Sequence, residues 1–171
     1  MRGFTTYYIL FFMELSTRRV HVAGITPNPD SAFMLQIARN LTDMVDGFLL
    51  GKRYLIIDRD SKYTQAFRGL LTDAGTNIVR LPPRSPNLNA YCERFVLSIK
   101  GECLERMIFF SGESLRRAIN EFLMHYHRER NHQSLGNELI DPDDGRGEGR
   151  GPVHCRERLG GTLRYYYRAA A

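Results

Sequence analysis

Tryptophan is absent, and only three cysteines occur among the 171 residues. Cys92, Cys103 and Cys155 are odd in number and include no C-x-x-C pair. That argues against a disulfide framework and for a reducing compartment. Long hydrophobic runs are lacking too. The longest, Tyr7 to Met13, falls far short of the roughly 20 residues a membrane-spanning helix needs. Arg2 precedes this run as in a secretory signal, but ELSTRRV follows where small cleavage-site residues belong, so it reads as a strand. No segment repeats internally. What is present is an ordinary globular mixture, 43% hydrophobic and 25% charged, enough for one domain with a core and a tail. The net charge of +5 is compatible with a polyanionic partner without selecting one.

Alternating apolar patterns predict two strands, TTYYILFFME at 5–14 and RRVHVAGIT at 18–26, joined by LSTR as a hairpin. After a Pro-Asn-Pro-Asp break, Phe33, Ile37 and Leu41 share one helical face behind Asp30 or Ser31 as a cap. A short strand follows at 54–57, then a helix over about 63–74 closed by Gly75, and a strand over 77–81. Helices are predicted at about 89–106, with the stripe Cys92, Phe95, Val96, Ile99 and Cys103, and at 113–130. This order predicts an α/β domain with a mixed sheet over 1–136. Residues 137–151, with four glycines and no apolar periodicity, read as a flexible linker. The tail, 152–171, carries four arginines, one glutamate and the run Tyr165 to Tyr167. It either packs as a strand, the favoured reading, or stacks on bases.

The stretch YLIIDRDSKYT ends a strand on Asp58 and Asp60. Acids at a strand end are commonly turn or capping residues. They are also what phosphoryl transfer with Mg²⁺ or Mn²⁺ requires, namely hard oxygen ligands on a rigid support. Glu93, in the first turn of a helix, follows Asp58 with 34 residues between them, and Lys100 lies seven positions further on. Two turns separate Glu93 from Lys100, so they share a helix face. Taken alone, Glu93 suits a helix start through the dipole, and Lys100 is an ordinary surface lysine.

LIIDRDSKYT, LPPRSPNLNAYCERFVLSIKGECLER and HYHRERNHQSLGN together resemble the integrase core of DDE transposases, of bacterial insertion-sequence type and more distantly like retroviral integrases. The resemblance spans about residues 5–137 and implies a ribonuclease-H-like fold. It implies that Asp58 and Glu93 are the second and third acids of a catalytic, metal-binding Asp-Asp-Glu triad. Lys100, Arg94 and Arg84 would then contact DNA, with Arg84 to Asn89 a loop approaching it. Asp60 stands where the family often has glycine, and a turn role suits it. Tyr126, Arg130, His132 and Leu135 resemble a family signature that is structural or DNA-facing. Zinc at His125, His127, His132, His154 and Cys155 is disfavoured because their spacing matches no closed pattern.

The resemblance further implies two divalent metals and, as partners, element ends and target DNA. Self-association or pairing with a full-length transposase is also implied, with no membrane partner and a place in the bacterial cytoplasm. No residue here matches the family's first acid, which sits on a central strand before YYILFF, and the upstream helix-turn-helix is unmatched. The expectation is therefore a core short of one strand at its N-terminus, inactive in joining. The alternative is a non-catalytic DNA-binding or dimerising remnant. A ribonuclease-H-type nuclease is disfavoured by the residues after Glu93.

Overall fold

In a computed structural model of the chain, the residues described are 5–83, 86–142 and 151–168. They form a mixed α/β structure whose contacts divide into two compact units. The first holds residues up to Phe12 and His21–Ala90; the second holds Met13–Val20 and Tyr91 onward. The division at 90/91 thus falls inside the segment 1–136 that the sequence suggests as one core.

In the first unit, β1 (Tyr8–Met13) and β2 (Val20–Thr26) form a two-stranded hairpin, although its turn belongs to the second unit. Helix α1 (Ser31–Leu41) starts where Phe33 N–H donates to the Asp30 carboxylate at 2.8 Å. Such a cap satisfies one of the orphan donors of a helix start. Met34, Ile37, Ala38 and Leu41 are its buried face. Gly24 lets the helix approach β2, because a Cβ there would lie 2.7 Å from Phe33 Cζ. Next come β3 (Tyr54–Ile57), α2 (Gln65–Asp73) and β4 (Asn77–Arg80). Thr64, rather than Ser61 or Asp60, caps α2, accepting from Phe67 N–H at 3.2 Å. Strands β3 and β4 pair in parallel, from Tyr54 opposite Asn77 to Ile57 opposite Arg80. One core joins these pieces: Phe12 of β1, Leu55 and Ile57 of β3, the α1 face, Leu49, and Phe67 and Leu71 of α2.

The expected single mixed sheet is not continuous. Among the described residues no ladder joins β1–β2 to β3–β4; each is a two-stranded sheet. The outward side chains Tyr54, Ile56 and Val79 remain 58%, 42% and 43% exposed.

The second unit is built on α3 (Ala90–Glu102) and α4 (Gly112–Arg128). Ser111 and Ser114 close the start of α4 with a reciprocal capping box. Phe95 of α3 meets Tyr126 of α4 edge-on at 5.1 Å and Phe122 at 6.2 Å, and Cys103 is buried beside Ala118. After α4 the chain is still held. His132 bridges Glu138, Asp141 N–H donates to the His127 carbonyl, and Arg128 pairs with Asp141 at 3.2 Å. Order therefore continues through 142, past the position where the glycine-rich composition suggests a linker beginning at 137; residues 143–150 lie outside those described. An antiparallel hairpin, β5 (Val153–Arg158) and β6 (Leu163–Arg168), ends the described chain. Its turn passes through left-handed Leu159, Gly160 and Gly161, a conformation that glycine adopts without steric penalty.

Candidate catalytic site

Asp58 is the first residue after β3 and is exposed. One of its carboxylate oxygens accepts from Asp60 N–H at 2.9 Å, which closes a tight turn. Asp60 accepts from Lys62 N–H at 2.9 Å and forms an ion pair with the Lys62 ammonium. The Lys62 side chain, and then its backbone N–H, hold the Asp60 carboxyl below the usual carboxylate range. Asp60 therefore serves the turn. Arg59 Nε donates to the Leu81 carbonyl at 3.1 Å, tying the end of β3 to the residue after β4. The turn is thus fixed from both sides, with Asp58 presented to solvent at a rigid strand end.

Glu93, Arg94 and Lys100 all belong to α3 in the second unit and are exposed. The buried face of α3, Phe95 and Ile99, rotates these three side chains outward. Burial, and then the Glu93 charge, push the Cys92 thiol up, so no thiolate nucleophile stands beside Glu93. Arg84 lies outside the described residues.

The signature residues at the end of α4 and beyond it have structural partners. Tyr126 is buried between Phe95, Phe122 and the ring of His132, the last 4.7 Å away and edge-on. His132 Nε2–H donates to the Tyr126 carbonyl at 2.7 Å, and Arg130 grips both Glu102 oxygens at 2.6 Å. The other histidines of this segment are also engaged. His127 Nε2 accepts from Val20 N–H at 3.1 Å, and His125 Nδ1–H donates to Glu129 at 3.1 Å. Burial, with Arg19 nearby, lowers the His127 pKa to about 4, so its imidazole is neutral.

Sequence reasoning missed the centre of this region. The Glu129 side chain is fully buried at 0% exposure. It is held by Arg158, itself 13% exposed, at 2.8 Å and by Arg156 at 3.3 Å. Burial alone would raise the Glu129 carboxyl; hydrogen bonds from Arg158 and His125 outweigh it and leave the pKa lowered. Arg158 also reaches Glu121 at 2.9 Å, so the C-terminal hairpin is clamped to α4. Nothing in the local pattern of HYHRERNH announces a partner 29 residues away.

Asp58 and Glu93 are hard oxygen donors of the kind that Mg²⁺ and Mn²⁺ take. Asp58 Oδ1 is committed to its turn, and Glu93 sits in the open first turn of a helix. Each donor type therefore fits a divalent ion. Among the described residues, however, no group of three or more metal-ligating side chains assembles. No helix among them is long and apolar enough to cross a membrane.

Compared with known families, residues 74–138 match the integrase core domain. No curated protein matches the chain. The matched segment runs from the end of α2 to the bridge at Glu138, so it includes Glu93, Arg94, Lys100 and the whole Tyr126–Leu135 signature, while Asp58 precedes it. Cores of this kind have a ribonuclease-H-like fold and generally use divalent metals. Over residues 74–138 this chain is similar to the integrase core domain, the catalytic core of integrases and transposases.

Proposed function

We propose that the protein acts in DNA integration by metal-dependent polynucleotidyl transfer, with Asp58 and Glu93 as two of its three metal-holding acids. The observation that carries this reading is the integrase-core match across Glu93 and its helix. The exposed Asp58 at the end of β3 supports it from the other side of the motif. In the first step water attacks a phosphodiester at an element end; the P–O bond to the 3′ oxygen breaks and a free 3′-hydroxyl remains. In the second, that hydroxyl attacks a target phosphodiester, forming a new P–O bond as the target strand breaks. Both are in-line displacements with no covalent enzyme intermediate. A divalent ion, when bound, supplies Lewis-acid charge for the attacking and leaving oxygens. Asp58 and Glu93 hold that charge in place, while Lys100 and Arg94 bind flanking phosphates. The work takes place on DNA in the cytoplasm.

The sheet supports a further element of this reading. Strands β1 (YILFFM) and β3 (YLII) are apolar throughout, the pattern of strands buried on both faces. They share one core cluster, yet no ladder joins their sheets among the described residues. A fifth strand between them, bearing the first acid, completes both the sheet and the triad. Without it, these 171 residues hold metal weakly and do not join DNA.

One competing reading is a DNA-binding remnant that interferes with an intact transposase. A Mn²⁺-dependent joining assay separates the two, using labelled duplexes from the DNA flanking the gene. The upstream-extended protein joins them if the catalytic reading holds. Binding without joining by both forms leaves only the remnant.

A further inference from the structure

The turn between β1 and β2 holds a cation that the reaction above does not use. Arg18 has a φ of 63°, the left-handed region that side chains larger than glycine enter only under constraint. The turn enforces it. Arg18 N–H donates to the Glu14 carbonyl at 2.8 Å, Glu14 N–H donates to the Arg19 carbonyl at 2.9 Å, and Thr17 Oγ1 bonds both the Glu14 carboxylate and Arg19 N–H. The carboxylate within the turn is thus engaged by Thr17.

The Arg18 side chain leaves the turn and lies over the Tyr91 ring, its Cζ 3.6 Å from the ring centroid. Its Nε is buried without a hydrogen-bond partner. Among the described residues, no carboxylate pairs with this guanidinium. Tyr91 is in the first turn of α3, two residues before Glu93 and three before Arg94. Residues three apart on a helix are neighbours, so Arg18 and Arg94 flank the same turn from different segments.

An arginine held by a strained turn, set against an aromatic face and paired with no carboxylate among the described residues is arranged for a ligand. With Nε buried, the two terminal nitrogens of the guanidinium are the planar pair of donors that matches phosphate. Stacking on Tyr91 restricts its rotamers before any ligand arrives, so less freedom is lost on binding. We propose that Arg18 is a clamp for a DNA backbone phosphate beside the first turn of α3, a role that rests on reading the chain as a DNA-processing core. Cation–π packing alone accounts for the stacking but not for the lack of a paired carboxylate among the described residues.

The test is fluorescence anisotropy with a labelled 20-base-pair duplex of arbitrary sequence over a range of salt concentrations. Thermal melts of each variant run beside it. Arg18→Gln is expected to fold, to bind several-fold more weakly at low salt and to reduce the slope of log affinity against log salt by about 1. Arg18→Lys keeps the slope while binding more weakly, since it retains the charge and loses the fork. If Arg18→Gln does not fold, Tyr91→Leu serves: it keeps the charge but frees the side chain, and weaker binding at an unchanged slope is expected. A folded Arg18→Gln with wild-type affinity and slope overturns the clamp alone, as does a Tyr91→Leu that binds like wild type. A wild-type chain with no salt-dependent DNA binding overturns the functional reading and the clamp with it.

Discussion

The two units are finished to different degrees. In the second, the aromatic cluster is closed, α4 begins in a capping box, and the buried Glu129 meets Arg158, Arg156 and His125. In the first, the helices are capped and the core is dense, yet the sheet is two separate pairs with Tyr54, Ile56 and Val79 exposed. Helices satisfy their own backbone, so α3 and α4 need only side-chain partners. Strands satisfy theirs through neighbours, so an open sheet keeps unpaired donors and acceptors on its edges. Asp58 is carried by the unit with the open sheet and Glu93 by the closed one. Any loss of activity should therefore trace first to the platform beneath Asp58.

The strongest way to sharpen this contrast is to extend the gene upstream. The longer product should gain solubility and show Mn²⁺-dependent joining where the 171-residue chain shows none. If extension changes neither property, the two strand pairs are not flanks of one sheet. Breaking the closed unit should produce the next largest effect. Glu129→Ala removes the buried carboxylate shared by Arg158 and Arg156 and leaves Arg158 with the half-exposed Glu121, which should cost up to about 3–5 kcal/mol. Amide exchange should locate the damage in α4 and the β5–β6 hairpin while protection in α1 and α2 persists. Equal loss in both units would erase the distinction between them.

A pH titration should give a smaller effect, again in the second unit. His127 titrates near 4 when folded and near 6.5 when unfolded. The unfolded chain therefore binds the extra proton first, and stability should fall as pH drops from about 6.5 towards 4. Glu129 acts lower: its folded pKa is depressed, so its contribution is present above about 4.3 and lost as pH falls through the folded value. Denaturant melts should show the first decline flattened in His127→Asn; an unchanged decline would mean that Val20 N–H does not depend on a neutral imidazole. The smallest effect belongs to Lys100, which is exposed on α3. Lys100→Ala should reduce the salt slope of DNA binding by about 1, similarly across sequences. An unaltered slope would make it an ordinary surface lysine.

Much of this was legible in the residues. Apolar spacing located α1, α3 and α4 to within a few positions, because each buries one stripe. The apolar run ending at Asp58 marked a strand end. Less visible were features set by distant partners. Thr64 and Asp60 divide the capping and turn roles in a way that composition leaves open. The pairs Arg130–Glu102 and Arg158–Glu129 join positions 28 and 29 residues apart. Residues 138–141 look like linker by composition but are held by His132, His127 and Arg128. Arg18 read as one basic residue of a strand, since neither its left-handed backbone nor its stacking on Tyr91 has a local signature.

Whether Asp58 and Glu93 form one metal site is tested most directly by a double-mutant cycle on Mn²⁺ binding. The upstream-extended protein would be used, with bound ion followed by electron paramagnetic resonance. Asp58→Asn and Glu93→Gln should each weaken binding at least tenfold. The double variant should be little worse than either single one, because ligands of a shared ion lose the same free energy once. Two losses that simply add, or a single variant that binds Mn²⁺ as wild type does, would contradict a shared site.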